Sequence, residues 1–403
     1  METSAGADCT FEDLVGDTGI FFARHFDQLP LLRRGALAGR AQELASVRQF
    51  DDLIAMEAVS PAYVRVAKDG RGVSSKAYTR TVGDNGTGLT EAVVPERVYE
   101  LFRSGGTVSW NFLNHFLPSA RHLVEVFTEA LACPAEVVGF LTPAGRDGYA
   151  AHHDPVDVFV IQTEGMKDWR VWTPSSDRRG DSVHYTAEQL GEPALQTTLY
   201  PGDVLYLPYG TPHAAAAKEQ VSLHLSVTVK PRRWRDLLLE TVGELMRDEA
   251  FHAFPRLGGV GVRGAADDYA GKIAELRDLL AVVASADEIA RLVATGRARG
   301  GADRPREFAR LASMDTLTAD TRLCRTPVPV ELGPSDDGRT TVLVNGHRLA
   351  VPDAVAGRLR ELEHGGSVPA GGLLAGVSQD RSVRAARQLT RLGVLQSVGG
   401  TGS

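Results

Sequence analysis

The chain is poor in cysteine and lysine and has no long apolar run. Its three cysteines, Cys9, Cys133 and Cys324, lie far apart with no CxxC pair among 403 residues. Neither a disulfide framework nor a zinc cluster is expected, and the thiols read as free groups in a reducing compartment. No stretch approaches the ~20 apolar residues of a membrane-spanning helix. The opening METSAGADCTFEDL has neither the basic start nor the apolar core of a secretion signal. The expectation is a soluble cytoplasmic protein with no membrane partner. A basic excess is missing too: Lys+Arg total 44 against 51 Asp+Glu, a formal net charge of -7. That balance does not favour generic nucleic-acid binding. P-loop, GxSxG and HExxH signatures are absent, which removes the commonest phosphate-binding, serine-hydrolase and zinc-protease readings. Lysine is confined to Lys68, Lys76, Lys167, Lys218, Lys230 and Lys272, so a lysine here stands out against a background of arginine.

What is present is an ordinary globular composition, 43% hydrophobic and 24% charged, over a length that allows two or three domains. Two stretches organise it. In AAHHDPVDVFVIQTEGMKDWRVW, Val156, Val158 and Val160 alternate with Asp157, Phe159 and Ile161, the period of a buried strand. His152 and Asp154 stand at its entry. Residues two apart in extended chain share a face, so imidazole and carboxylate can converge on one metal ion. In LYPGDVLYLPYGTPHAA a second strand runs from Asp203 to Leu207 between turns and is followed by His213. Two histidines and one carboxylate leave three octahedral positions open, the facial arrangement of non-haem Fe(II) oxygenases. His153 projects to the other face and reads as a packing or substrate-side residue. In VSLHLSVTV, Ser222, His224, Ser226 and Thr228 share one face and Leu223, Leu225, Val227 and Val229 the other, as in a barrel wall with polar cargo.

HHDPVDVFVIQTEGMKDWRVW and PGDVLYLPYGTPH, with FFARHFDQLPLLRRGAL near the N-terminus, resemble the cupin-type JmjC 2-oxoglutarate/Fe(II) oxygenases, nearest the ribosomal-oxygenase (protein hydroxylase) branch. The resemblance implies a mixed α and β chain: a double-stranded β-helix (jelly-roll, JmjC cupin) barrel, then a helical dimerisation region and a C-terminal winged-helix-like domain. It implies Fe(II) on His152, Asp154 and His213, and a salt bridge from Lys167 to the distal carboxylate of 2-oxoglutarate, with O2 as the third reactant. A buried cation is needed there because a desolvated carboxylate left unpaired is costly. The chain departs from the family at Phe140, where a tyrosine is usual, and at Val138, where an asparagine is common. Thr142, Ser226 or Thr228 could supply the lost hydroxyl, with His224 a further cosubstrate contact; alternatively the pocket is reshaped for another cosubstrate.

Residues 1–231 are therefore read as lead-in and barrel, 232–315 as the helical region and 316–403 as the winged-helix-like domain. Helices are expected over Phe11–Phe26, Ala41–Ala55, Val94–Gly105, Ser119–Ala132, Val355–Glu363 and Ser378–Leu392, and loops at Gly83–Gly88 and Gly258–Gly264. Arg381, Arg384, Arg387 and Arg391 sit near one face of the last helix; a solvated surface is the preferred reading over DNA contact, because acids nearly match the arginines of that domain. The expected activity is hydroxylation of an amino-acid side chain in a protein or peptide, either a ribosomal protein or a ribosomally made natural-product precursor, by a homodimer. N-methyl-lysine demethylation at the same site, a non-catalytic cupin-like dimeric scaffold and a metal-only cupin enzyme are the alternatives.

Overall fold

The computed structural model describes residues 9–83, 88–174, 181–255, 261–299, 307–326, 330–344, 347–362 and 365–398. Chain contacts gather residues 4–301 into one unit and residues 302–403 into another.

The first unit is built on two facing sheets. The larger has eight strands, in the order Leu31–Arg33, Val204–Leu207, Asp157–Glu164, Ser222–Val229, Ala135–Thr142, Thr107–Trp110, Val64–Lys68 and Arg71–Gly72. The smaller has five: Val183–His184, His152–His153, His213–Ala217, Lys167–Val171 and Leu195–Leu199. Neighbours are antiparallel throughout. Alternation along the strands separates two apolar layers. Leu223, Leu225, Val227 and Val229 join Phe159, Ile161 and Tyr206 in the core under the N-terminal helices. Val158, Val160, Leu205 and Leu207 turn the other way, against Trp169, Val171 and Leu199 of the smaller sheet. Each such fully buried aliphatic or aromatic side chain contributes about 1.5–3 kcal/mol, so the barrel closes on its own apolar faces.

The Asp157–Glu164 and Lys167–Val171 strands belong to different sheets, and only Gly165 and Met166 join them. Gly165 takes φ 65°, and any side chain on it would collide with the Val221 carbonyl. Glycine alone suits that corner. The corner delivers Lys167 to the barrel interior as the first residue of its strand.

Several helices differ from the sequence expectation. Phe11–Phe26 forms two helices, Phe11–Val15 and Thr18–Arg24, because Gly16 adopts φ 78° and Asp17 caps the second through the amide of Ile20 at 2.8 Å. Ala41–Ala55 likewise divides into Ala41–Leu44 and Val47–Ile54, where Ser46 and Gln49 cap each other reciprocally. Pro95–Arg103 and Pro118–Leu131 match. Residues 84–87 of the expected Gly83–Gly88 loop, and 258–260 of the Gly258–Gly264 loop, lie outside the described residues, while residues 261–264 of the latter are the first turn of a helix and not a loop. Beyond the barrel, Trp234–Leu245, Gly261–Val283 and Ala286–Arg299 are helices of the same unit.

The second unit has a three-stranded sheet of Arg322–Arg325, Val368–Pro369 and Leu395–Ser397, and an antiparallel meander of Val330–Asp336, Arg339–Val344 and His347–Pro352. Helices Asp353–Glu361 and Gln379–Arg391 pack Val355, Leu359, Ala386 and Leu389 into its core. Arg381, Arg384, Arg387 and Arg391 are exposed, and Arg387 donates to the Leu317 carbonyl at 3.0 Å.

Candidate active site

The two sheets enclose a cavity of about 420 Å³. On one wall the His152–His153 strand pairs with the His213–Ala217 strand, His152 directly opposite His213. This register brings the imidazole rings to 4.6 Å. Asp154, just past its strand, is held by the amide of Gly210, which donates to its carbonyl at 3.1 Å. Its Oδ2 lies 3.7 Å from His152 Nε2 and 3.9 Å from His213 Nε2. One ligand atom from each of the three residues falls within 4.8 Å of the others.

The imidazoles are already oriented for such a task. His152 Nδ1 donates to the Ala150 carbonyl at 2.7 Å and His213 Nδ1 to the Thr211 carbonyl at 3.0 Å. With the proton on Nδ1, both Nε2 lone pairs face the common point, as metal-binding histidines require. Burial, with His152 alongside, pulls the His213 pKa down to about 4, so this ring is neutral at physiological pH. His153 faces elsewhere, as its parity demands: Nδ1 meets the Tyr185 hydroxyl at 2.6 Å and Nε2 the Asp181 carbonyl at 2.9 Å.

Lys167 enters the same cavity and is 2% exposed. Its Nζ donates to Thr142 Oγ1 at 2.9 Å and approaches His224 Nδ1 at 3.4 Å. Thr142 in turn receives the Thr107 hydroxyl at 3.2 Å. Among the described residues no carboxylate pairs with the amine, and burial lowers its pKa to about 7. The same burial, with Lys167 next, drives His224 well below the usual imidazole range. A buried amine among neutral partners is a receptor for an anion. Gly148 packs close by: a methyl group on it would crowd the Ala215 carbonyl at 3.0 Å and touch Nζ at 3.6 Å.

Of the other residues expected at the site, Ser226 and Thr228 line the cavity farther along their strand. The Thr228 hydroxyl points to the Glu136 carbonyl at 3.5 Å, so Thr142 and His224 are the members of that set gathered at Lys167. Phe140 lies flat on His224, with centroids 5.0 Å apart and planes at 9°. Other lining residues escaped the sequence reading: Arg65, Ser109, Tyr149, Trp169 and His184. Trp169 had a usable signal, being two residues from Lys167 and hence on its face. It stacks on His213 at 5.9 Å and meets His224 edge-on at 5.4 Å, and so stands between the His152–Asp154–His213 cluster and the amine. On the next strand His213 is followed by four alanines, of which Ala214 and Ala215 line the cavity.

Residues 111–237 match the family model of the JmjC domain. The chain is 34% identical over 162 residues to the bifunctional lysine-specific demethylase and histidyl-hydroxylase NO66 of Drosophila simulans, covering 39% of this chain and 19% of that protein. It is 35% identical over 151 residues to ribosomal oxygenase 1 of Rattus norvegicus, covering 36% of this chain and 25% of that one. The chain thus spans a fifth to a quarter of the length of these relatives. Among solved structures, Escherichia coli YcfD, a ribosomal oxygenase in complex with cobalt and 2-oxoglutarate, aligns with a TM-score of 0.54 at 16% identity over 96% of this chain and 99% of that one. The YcfD complex with cobalt and succinic acid aligns with a TM-score of 0.53 at the same identity and coverage. The shared fold is the JmjC cupin fold.

Proposed function

We infer that this chain, whose barrel is a JmjC domain, is an Fe(II)- and 2-oxoglutarate-dependent oxygenase that hydroxylates a side chain in a protein or peptide. One observation carries the reading: the His152–Asp154–His213 cluster and the buried Lys167 amine open into one cavity. The donor set fits Fe(II): the Nε2 atoms of His152 and His213 and the Asp154 carboxylate would hold the ion, three protein ligands of the kind that leaves positions open to other molecules. The amine fits the far carboxylate of a bound 2-oxo acid.

When bound, Fe(II) with 2-oxoglutarate and O2 supplies the oxidative chemistry, giving succinate, CO2 and a hydroxylated carbon. The protein's part is placement. Lys167, with Thr142 beside it, draws one end of the cosubstrate to the closed end of the cavity, so that its 2-oxo acid end reaches the metal. Trp169, Val158 and the alanines after His213 keep the space between them apolar and narrow. The Nδ1–carbonyl bonds of His152 and His213 hold the rings in place while ligands exchange. The relatives' names point to a ribosomal protein as the substrate; a ribosomally made peptide precursor fits the same chemistry.

The first test is an anaerobic titration with Fe(II) and then 2-oxoglutarate. The expected result is a visible charge-transfer band that is absent in His152→Ala. Metal binding with no band would replace this reading with a metal-only cupin, and no metal binding would leave a scaffold.

The rest of the chain fits a supporting role. Residues 1–231 would serve as catalytic part, 232–315 as dimerisation region and 316–403 as a winged-helix-like domain. Support for a homodimer comes from Trp234, Leu238 and Leu239 on the first helix after the barrel, and from Tyr269 and Ile273 on the next, all exposed. Such a density of apolar side chains in water favours a covered state. Light scattering of the full chain is expected to give twice the mass of a chain of 43.3 kDa; a monomer at micromolar concentration would remove the dimer.

A further inference from the structure

The cavity opens at its His152–Asp154–His213 end. Lys167 is 2% exposed and Thr142 fully buried, whereas the Asp154 side chain is 35% exposed and His184 lies at the surface. A substrate therefore arrives beside His184. That residue ends the two-residue strand Val183–His184, the outermost strand of the smaller sheet, which pairs with the His152–His153 strand alone.

The ladder fixes which way His184 faces. Its partner is His152, and the next amide, that of Tyr185, donates to the Ala151 carbonyl at 2.8 Å. Antiparallel ladders alternate bonded and non-bonded pairs. Val183 and Tyr185 thus turn their backbone groups inward, and His184 turns its amide and carbonyl out to the open edge. Among the described residues no further strand or side chain bonds to either group. Opposed residues share a face, so the imidazole stands on the His152 side, with the rings 5.7 Å apart, and lines the cavity. One residue offers a peptide donor, a peptide acceptor and a ring at the cavity mouth.

The two edges of this sheet differ. At the far edge the Arg34 guanidinium donates to the Thr198 carbonyl and the Thr197 hydroxyl, both on the Leu195–Leu199 strand. Covering an edge in this way blocks pairing with another chain. The edge at His184 lacks such a cover among the described residues, yet it is firmly held. Ser182 Oγ donates to the His153 carbonyl at 2.8 Å, and the His153 ring engages the Asp181 carbonyl and the Tyr185 hydroxyl. His153, which is outside the metal-binding cluster, secures the chain on both sides of the strand. A rigid edge loses little entropy when another strand joins it.

We propose that the substrate is an extended peptide segment that joins this edge as an added strand. Its backbone bonds to His184, and the side chain opposite His184 turns toward the His152–Asp154–His213 cluster. The proposal rests on the oxygenase reading above and narrows its substrate. A segment whose backbone is committed to a helix or to the middle of a sheet has no donors and acceptors to give.

The probe is a set of short peptide mixtures, each with one fixed central residue and random flanks. They are incubated with the full chain, Fe(II), 2-oxoglutarate and O2 and read for a mass gain of one oxygen. At least one mixture should gain it. In a single peptide from that mixture, N-methylation should cut turnover about fivefold at the amide facing His184, the usual worth of a neutral hydrogen bond. It should be tolerated at the amides on either side. His184→Pro removes the outward amide, and proline is accepted on an edge strand where the N–H faces away from the ladder. Its kcat/KM should fall about fivefold below that of His184→Ala, which loses the ring and keeps the amide. Both variants should keep the charge-transfer band with Fe(II) and 2-oxoglutarate. Equal turnover of every N-methylated peptide overturns the added strand and leaves the edge to another occupant, such as a second copy of the chain. A set of mixtures without product, with the band intact, overturns it too and leaves the cosubstrate reading standing. A wild-type chain with no band removes that reading and the strand with it.

Discussion

Lys167→Met is expected to give a protein that is harder to unfold in its empty state and nearly unable to hold 2-oxoglutarate. The stability gain follows from the amine's position. Its pKa falls from 10.5 to about 7 through burial, while in the unfolded chain it stays near the ordinary lysine value. Between those limits the unfolded chain holds the extra proton, so stability rises with pH from about 7 to about 10.5. At neutral pH and below, the empty barrel carries nearly the whole cost, on the order of 5 kcal/mol. Methionine fills similar space without a charge. Thermal unfolding of the cosubstrate-free protein should therefore show a melting temperature several degrees higher in Lys167→Met at pH 7, with the difference fading toward pH 10.5. The binding loss has the opposite sign: a carboxylate brought into the cavity without its cation costs about 3–5 kcal/mol, a hundredfold or more in affinity. A variant as stable as wild type at both pH values, with cosubstrate binding intact, would mean that the Lys167 amine neither burdens the fold nor holds the cosubstrate.

Asp154→Ala should abolish metal binding and leave the fold nearly untouched. Asp154 is the carboxylate among the described residues that line the cavity, and its side chain is 35% exposed, so its removal empties no core and should shift stability by about 0.5 kcal/mol or less. Loss of a ligand's hydrogen-bond partner alone typically costs ten- to a hundredfold in metal affinity; loss of the ligand itself should exceed about a hundredfold. Calorimetric titration with Fe(II) or Mn(II) and metal-induced thermal stabilisation measure this directly. Retention of metal at wild-type affinity would place the ion elsewhere and dissolve the cluster as a functional unit.

The residues that could be read from the sequence are those whose arrangement is short-range. His152 and Asp154 need only the two-residue period of extended chain, and His213 needs the turn that ends its predecessor strand; the three do meet in space. The polar face of Ser222, His224, Ser226 and Thr228 follows from the same parity, although a register shift between Leu223 and His224 interrupts the ladder to the Asp157–Glu164 strand. The strand from His213 to Ala217 was less legible. Four alanines have little intrinsic preference for extended structure, and their conformation is set by the Lys167–Val171 strand on one side and the backbone of residues 146–148 on the other. Tyr149 and Ser109 were hidden for another reason. They come from separate segments whose approach depends on register across four strands, which no local pattern encodes. In the lead-in, glycine and capping side chains at Gly16, Asp17 and Ser46 divided helices that apolar spacing alone ran together.

The alanines after His213 also bear on how such a protein ages in a lineage. Every alanine codon is a single base change from a valine codon, and valine suits a strand better than alanine does. At Ala215, which lies opposite Trp169 and lines the cavity, that change would cost the barrel little and take room from whatever the cavity holds. Catalytic capacity in this fold is thus more perishable than the fold itself. A descendant can keep the His152–Asp154–His213 cluster and its folded barrel while losing the space for the proposed cosubstrate.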